Sequence, residues 1–427
     1  MRGAVASGAA EGSSLSRGAR LALALAVVVA IEGLLQIAAC SSERVAILLS
    51  SGVSRTIPDA RLGTRPNPAL REHDSHGWRN AEHPARVDVV VIGDSQTYGS
   101  EVAREQAWPQ RLAEQLGRST YNLALGGYGP VQYLRLMDDA LALDPRLVLI
   151  GLYAGNDLAD AYNAVHLRGL ADELLPEPSA RQALEDVAAE RGDLADAWLA
   201  TGAARRGPVR VALRSYLTDP VEHHSRLFGL WRALVRALSP PGPASASAGA
   251  SARPWTYYAQ KVARVEPELL LPVHDERTGT ILTPAARAAV LDARDPRVVE
   301  GLRISLAALD AAARRCVGRC RVVVVGIPTK ELVFADLATT TAIALPGAFT
   351  QLVADERNFW SEVRAFLLPQ EIDFIDTLPA LRAALARGEN PYAPDWNGHP
   401  NALGNDVIAL AVSRAPQVGP AAAALRH

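Results

Sequence analysis

The chain has 427 residues, of which 49% are hydrophobic and 21% charged, and its formal net charge at pH 7 is −2. This length is enough to bury one or two sizeable cores, and the composition excludes an intrinsically disordered chain. A near-neutral charge without a basic stripe gives no support for binding to nucleic acid.

An apolar run near the N-terminus predicts a membrane-spanning or signal segment. Residues 21–39 read LALALAVVVAIEGLLQIAA, close to the ~20 apolar residues that cross a bilayer as a helix. Arginines precede this run, so the positive-inside rule leaves residues 1–20 as a cytoplasmic tail and exports the rest. We interpret it as a single-pass anchor in the cell inner membrane with a periplasmic domain. The alternatives are a lipoprotein modified at Cys40, a cleaved signal peptide and a buried soluble helix.

Strand-like and helix-like segments alternate after residues 45–86, which are irregular and are interpreted as a juxtamembrane linker. The strand-like segments are VDVVVIG, STYNLAL, RLVLIGLY, RVVVVGIP and EIDFIDTL. Helix-like stretches such as AWPQRLAEQLG and VVEGLRISLAALDAAARR separate them. This alternation predicts a parallel sheet covered by helices on both faces, because strands buried on both sides carry apolar runs without polar alternation. The predicted domain spans residues 87–415.

The alternation is interrupted at about residues 165–297, where we predict a mainly helical insertion over or beside the sheet. This stretch contains the helix-like segment SRLFGLWRALVRAL. It also contains the low-complexity segment 239–254, SPPGPASASAGASARP, whose composition cannot bury enough apolar surface to fold alone.

Four polar or glycine-containing motifs follow the predicted strands, at the carboxyl ends where an open parallel sheet binds ligands. The first strand is followed by GDS with Ser95, the second by NLALGGYGP with Gly127, the third by AGND with Asn156, and the last by PDWNGHPNALGN with Asp395 and His399. Each motif alone is weak evidence, but four in this order are strong evidence for a catalytic site.

These motifs resemble those of the SGNH, or GDSL, hydrolase superfamily, and the flanking sequence resembles its membrane-anchored bacterial members. The resemblance implies a three-layer α/β/α sandwich with a flavodoxin-like parallel sheet. It implies that Ser95 is the nucleophile and His399 its general base. It also implies an oxyanion hole made by the backbone N–H groups of Ser95 and Gly127 and the side-chain amide of Asn156. No metal and no cofactor are expected.

The acidic residue departs from the family pattern. In the family it usually lies three residues before the histidine, and in some members two, whereas Asp395 lies four before His399 and Asn397 occupies the minus-two position. We expect Asp395 to hold the imidazole in the required tautomer. The alternatives are that Asn397 orients the ring, or that a backbone carbonyl does and leaves a Ser–His dyad.

The combined interpretation is an extracytoplasmic serine esterase that hydrolyses acyl or acetyl esters through an acyl-enzyme. Its location indicates an ester on an envelope glycan or lipid, and the membrane is the other partner. One alternative is an O-acyltransferase of envelope polysaccharide with the same site. Another is a non-catalytic envelope binding or assembly protein on this fold, which the unusual position of Asp395 favours.

Several residues outside these motifs have open roles. Cys316 and Cys320 are close enough to form a small disulfide in an oxidising compartment, with free thiols or a weak zinc site as alternatives. Lys330 follows the fourth strand and either contacts substrate or packs against the protein. His73 and the neighbouring Asp74 are interpreted as solvated surface, since no matching metal ligands lie at recognisable spacing.

Overall fold

The computed structural model describes residues 16–41, 55–70, 72–191, 270–341 and 345–418. The predicted helix SRLFGLWRALVRAL and the low-complexity segment 239–254 lie outside the described residues. Of the described ranges, 16–41 falls in one compact unit and all the others fall in a second.

The N-terminal unit is described by a single α-helix, α1, at Arg17–Ser41. Its stretch Gly18–Ala38 has a mean hydropathy of 2.3 and is long and apolar enough to cross a membrane. None of this stretch is buried. The predicted apolar run therefore forms a helix that fits either a membrane anchor or a signal sequence.

The second unit is built from nine strands and thirteen α-helices within the described ranges. The strands are β1 Thr56–Asp59, β2 Gly63–Pro66, β3 Val89–Gly93, β4 Thr120–Asn122, β5 Leu147–Tyr153, β6 Leu271–His274, β7 Gly279–Leu282, β8 Arg321–Ile327 and β9 Asp373–Asp376. The helices are α2 Ser95–Tyr98, α3 Trp108–Leu116, α4 Pro130–Arg135, α5 Met137–Ala142, α6 Asp157–Tyr162, α7 Pro178–Arg191, α8 Pro284–Leu291, α9 Pro296–Cys316, α10 Lys330–Val333, α11 Ala335–Thr341, α12 Gly347–Leu367, α13 Leu378–Ala386 and α14 Ala402–Arg414.

Five of these strands form the central parallel sheet, in the order β4-β3-β5-β8-β9. Numbered along the sheet's own strands, this is the flavodoxin-like order 2-1-3-4-5. Helices lie on both sides of the sheet. All residues of β3 and β5 are buried, and so are all residues of β8 except the first. Burial on both faces explains the apolar composition of these strands. The predicted three-layer α/β fold is confirmed.

The region of the predicted insertion contains a β-hairpin that we did not predict. Strands β6 and β7 pair antiparallel, with Leu271 opposite Leu282 and His274 opposite Gly279. The side chains of β6 alternate between buried and exposed, which is a strand pattern, but four residues are too few to recognise it against a helical background. This hairpin and α8, which follows it, contact the loops that form the candidate site.

Residues 55–70 and 72–86 pack against the sheet domain and do not only precede it. They begin with the β1–β2 hairpin. The buried guanidinium of Arg79 donates hydrogen bonds to the carbonyl of the last residue of α2 and to two carbonyls of the loop that follows. The predicted domain boundaries themselves stay a prediction.

The expectation that His73 and Asp74 are solvated is wrong. Both side chains are buried. Asp74 Oδ2 accepts a 2.5 Å hydrogen bond from the hydroxyl of Tyr121, and His73 Nε2 lies 2.8 Å from the hydroxyl of Tyr98. These hydrogen bonds join the segment before β3 to β4 and to α2, so the polar groups of His73 and Asp74 serve packing.

Cys316 and Cys320 form a disulfide at the end of α9, with their Cα atoms 4.8 Å apart. Of the three alternatives considered for these cysteines, the structure has the bonded pair. The bridge closes the turn that leads into β8.

Candidate active site

The chain makes a sharp strand–turn–helix that displays the hydroxyl of Ser95 at the carboxyl end of β3. Gly93 ends the strand, and a Cβ there would lie only 2.3 Å from Thr97 Oγ1, so glycine is needed for the turn. Asp94 caps α2 by accepting a 2.9 Å hydrogen bond from Gln96 N–H. Because Asp94 is the cap, the hydroxyl of Ser95 is not needed for that role, and it makes only a long 3.4 Å hydrogen bond to Asp94 Oδ2.

Ser95 Oγ lies 2.9 Å from Nε2 of His399, although 304 residues separate them in sequence. The imidazole Nδ1 lies 2.7 Å from Asn397 Oδ1. The same oxygen accepts a 3.0 Å hydrogen bond from the backbone N–H of His399. A backbone N–H only donates, so the amide must present its oxygen here, and Nδ1 must carry the ring proton. Nε2 is therefore unprotonated and can accept the proton of Ser95.

The structure places Asn397, not Asp395, at the imidazole. Asp395 Oδ1 instead accepts a 2.8 Å hydrogen bond from the backbone N–H of Asn397. Two successive turns, each closed by a side-chain oxygen and the N–H two residues on, thus run from Asp395 to His399. The first turn holds the Asp395 carboxylate against the backbone, and the second brings the Asn397 amide to the ring.

The side chain of Lys330 hydrogen-bonds to the backbone of the histidine loop, which we define as residues 393–400. Its ammonium donates hydrogen bonds of 2.7 Å to the carbonyl of Asp395 and 2.8 Å to that of Asn397. The Thr280 hydroxyl of β7 donates to the Asp395 carbonyl as well, at 3.1 Å. Burial lowers the pKa of Lys330 to about 8. With 1% of its surface exposed, Lys330 packs against the loop and does not reach substrate.

The glycine loop after β4 lies beside Ser95. A Cβ added to Gly126 would lie 3.4 Å from Ser95 Cβ, and Leu125 N–H donates to the Gly93 carbonyl at 3.2 Å. Gly127 has φ +83°, in the left-handed region that favours glycine. The predicted oxyanion donor Gly127 is thus in a loop that touches the nucleophile.

Asn156 follows β5, the strand beside β3 in the sheet. Its Nδ2 donates a 2.7 Å hydrogen bond to Asp160 Oδ2, and its Oδ1 is buried without a partner. This bond aims the amide and leaves its second N–H for an oxyanion. Burial, followed by repulsion from Asp94, raises the pKa of Asp160 to about 7. Sequence analysis gave no role to Asp160.

The surroundings of His399 change the pKa of its imidazole. Burial of the imidazole lowers the pKa of His399, and the cations Arg287 and Lys330 lower it further, while the carboxylate of Glu101 opposes them. Glu101 itself is exposed on the loop after α2. A base with a low pKa stays unprotonated, and hence competent, at mildly acidic pH.

The matched sequence agrees with this geometry. Residues 91–231 match the model of the GDSL-like lipase/acylhydrolase family. The chain is therefore similar to this family over about a third of its length. The matched stretch contains Ser95, Gly127 and Asn156, whereas His399 lies beyond it. The match confirms the predicted resemblance and supports acyl ester hydrolysis as the general chemistry of the matched domain.

Two crystal structures align with most of the chain. One is a member of the lipolytic protein G-D-S-L family from Veillonella parvula DSM 2008, with 10% identity over 76% of this chain and 94% of that chain and a TM-score of 0.32. The other is the acetyl xylan esterase AlAXEase, with 12% identity over 76% of this chain and 96% of that chain and a TM-score of 0.31. No curated protein matches the chain.

Besides Asp160, sequence analysis missed Thr280 and Arg287 as contributors to the site. Both come from the region predicted as an insertion, where no motif marks them. In the described part of the chain, no three His, Cys, Asp or Glu side chains cluster as metal ligands would.

Proposed function

We propose that the chain is an extracytoplasmic serine esterase that hydrolyses acyl esters through an acyl-enzyme on Ser95. The observation that carries the proposal is the 2.9 Å contact between Ser95 Oγ and His399 Nε2 at the carboxyl end of β3. A serine and an unprotonated imidazole in this arrangement form an activated nucleophile.

In the first half-reaction Ser95 Oγ bonds to the ester carbonyl carbon while its proton passes to His399 Nε2. The carbonyl oxygen becomes an oxyanion, for which the backbone N–H groups of Ser95 and Gly127 and the Asn156 amide are the proposed donors. Such preorganised donors contribute about 2.7–4 kcal/mol each to transition-state stabilisation. The tetrahedral intermediate then expels the alcohol, which takes the proton from His399, and the acyl group stays on Ser95.

In the second half-reaction a water molecule repeats these steps. His399 takes a proton from the water as its oxygen bonds to the acyl carbon, and then returns the proton to Ser95 Oγ as the acid leaves. Both half-reactions need the same imidazole tautomer.

We propose that Asn397 takes the place of the family's acid. A triad acid both fixes the imidazole tautomer and stabilises the imidazolium. Asn397 Oδ1 performs the first task, because the backbone N–H of His399 holds its oxygen toward Nδ1. It carries no charge for the second, so Asp395 is assigned an indirect role through the backbone N–H of Asn397.

The apolar helix α1 and the Cys316–Cys320 disulfide support a location outside the cytoplasm, since disulfides persist in oxidising compartments. The proposal is an inner-membrane anchor with the GDSL domain in the periplasm, with a lipoprotein at Cys40 as the alternative. An ester on an envelope glycan or lipid is the substrate that this location favours.

A fluorophosphonate probe tests the proposal on the full chain in detergent. We expect stoichiometric labelling of the wild type, none in Ser95→Ala and at least a hundredfold slower labelling in His399→Ala. Ser75→Ala, which removes an exposed hydroxyl of the same domain, serves as the control and should label normally. An unlabelled wild type, or a Ser95→Ala variant that still labels, contradicts the proposal.

A further inference from the structure

A guanidinium without a carboxylate partner lies between the two loops of the candidate site. Arg287, on α8, donates a 2.9 Å hydrogen bond from Nη1 to the carbonyl of Gly155, the residue before Asn156. Its Nη2 lies over Gly398, where an added Cβ would be only 2.9 Å away. The guanidinium therefore touches the residue before the oxyanion amide and the residue before the base.

The two buried arginines of the described chain are neutralised. Arg297 pairs with Asp295 at 2.7 Å, and Arg79 pairs with Glu72 at 2.6 Å. Arg287 is half-buried, but no carboxylate of the described residues lies within ion-pair distance. Its guanidinium carbon lies instead 5.6 Å from the centre of the Tyr153 ring. Holding an unpaired charge partly out of water is unfavourable, so a partner supplied from outside the protein would stabilise it.

Its free donors are suited to an anion. Nη1 is used by the Gly155 carbonyl, whereas neither Nε nor Nη2 has a hydrogen-bond acceptor among the described residues. These two nitrogens form the planar fork that binds a carboxylate with two parallel hydrogen bonds. Part of the Arg287 side chain is exposed.

We propose that Arg287 binds a carboxylate carried by the substrate, so that the preferred substrates are esters with a negatively charged group next to the scissile bond. The inference rests on the proposed esterase function and narrows its substrate class. A polysaccharide of acidic sugars bearing O-acyl groups has this chemistry, and so does the half-ester of a dicarboxylic acid. The first carries the carboxylate on the alcohol side and the second on the acyl side.

Matched ester pairs distinguish these sources. For the alcohol side the pair is phenyl acetate and 3-acetoxybenzoate. For the acyl side it is 4-nitrophenyl butyrate and mono-4-nitrophenyl succinate. Within each pair, kcat/KM of the anionic ester is divided by that of the neutral ester, for the full-length wild type, Arg287→Met and Arg287→Lys. Comparing this ratio between variants cancels the intrinsic reactivity of each ester.

We expect the ratio to fall at least about tenfold in Arg287→Met for one of the pairs, as the loss of a charge-assisted hydrogen-bonded pair predicts. Arg287→Lys should retain part of the preference, since it keeps the charge without the fork. Added salt should lower the ratio in the wild type. Arg294→Met, which removes an exposed arginine paired with Asp292 near the same helix, should leave the ratio unchanged.

Two outcomes overturn the proposal. If Arg287→Met lowers kcat/KM equally on neutral and anionic esters, Arg287 is a positioning residue. If added salt does not change the anionic-to-neutral ratio of the wild type, the site does not bind an anion, and this result holds even if Arg287→Met does not fold. Either result leaves fluorophosphonate labelling of Ser95 in the wild type intact, so it is distinguishable from failure of the esterase proposal.

Discussion

The nucleophile and the base of the candidate site are held in different ways. Ser95 is positioned by its immediate neighbours: the buried strand β3, the cap at Asp94 and the glycine at φ +77° that ends α2 at residue 99. These features lie within a dozen consecutive residues. A local sequence motif is therefore sufficient to place the hydroxyl.

His399 depends on contacts from distant parts of the chain. The histidine loop contains no strand or helix between residues 393 and 399. Its carbonyl groups accept hydrogen bonds from Lys330, the first residue of α10, and from Thr280 of β7. Since side chains from elsewhere fix this loop, its internal spacing can vary without moving the imidazole. The comparison teaches that motif spacing is informative near Ser95 and much less so near His399.

The largest expected effect separates the two residues that compete for the role of orienting His399. Asn397→Ala removes the acceptor of Nδ1–H, so the wrong tautomer becomes accessible, and kcat should fall about 10³–10⁴-fold. Asp395→Asn keeps an oxygen for the backbone N–H of Asn397 and should lower kcat less than tenfold. Steady-state hydrolysis of 4-nitrophenyl acetate measures both variants.

The reverse ranking, with Asp395→Asn the more severe change, would restore the acid that the family pattern implies. Circular dichroism of both variants is the control, because the histidine loop must still fold for the comparison to be valid.

This ranking also shows where prediction from sequence stops. The sheet and the flanking helices follow from apolar runs, which are local signals. The pairing of Ser95 with His399 follows from the resemblance of the four motifs to the GDSL family. The choice between Asp395 and Asn397 depends on two side-chain turns that spacing alone does not distinguish. The roles of Thr280 and Arg287 depend on a hairpin that brings residues more than a hundred positions away to the histidine loop.

A second prediction weakens the histidine loop without touching Ser95 or His399. Lys330→Met removes the donors to the carbonyls of Asp395 and Asn397, and kcat should fall about 10- to 100-fold as the imidazole loses its position. Thr280→Val, which removes one weaker donor to the same loop, should have a smaller effect in the same direction.

A structural role alone would lower stability and leave the rate of the folded enzyme unchanged. The measurement is therefore kcat per fluorophosphonate-labelled site, which counts only folded nucleophile. If Lys330→Met had the wild-type kcat per site, the reactivity of Ser95 would not depend on the hydrogen bonds from Lys330 to the histidine loop.

The smallest expected effect concerns the electrostatics around the base. Burial and two nearby cations lower the pKa of His399, so the acid limb of the kcat/KM profile should have its midpoint below about 6.5. The sign follows from the mechanism, because the base works only when unprotonated and a lower pKa extends activity to more acidic pH. The Glu101 carboxylate raises this pKa, so Glu101→Gln should move the limb further toward acid. Glu82→Gln, at another exposed position before β3, should leave the limb where it is. If the acid limb of Glu101→Gln moved toward alkaline pH, the titrating group would not be His399. The charged residues around His399 would then not set the pH range of the enzyme.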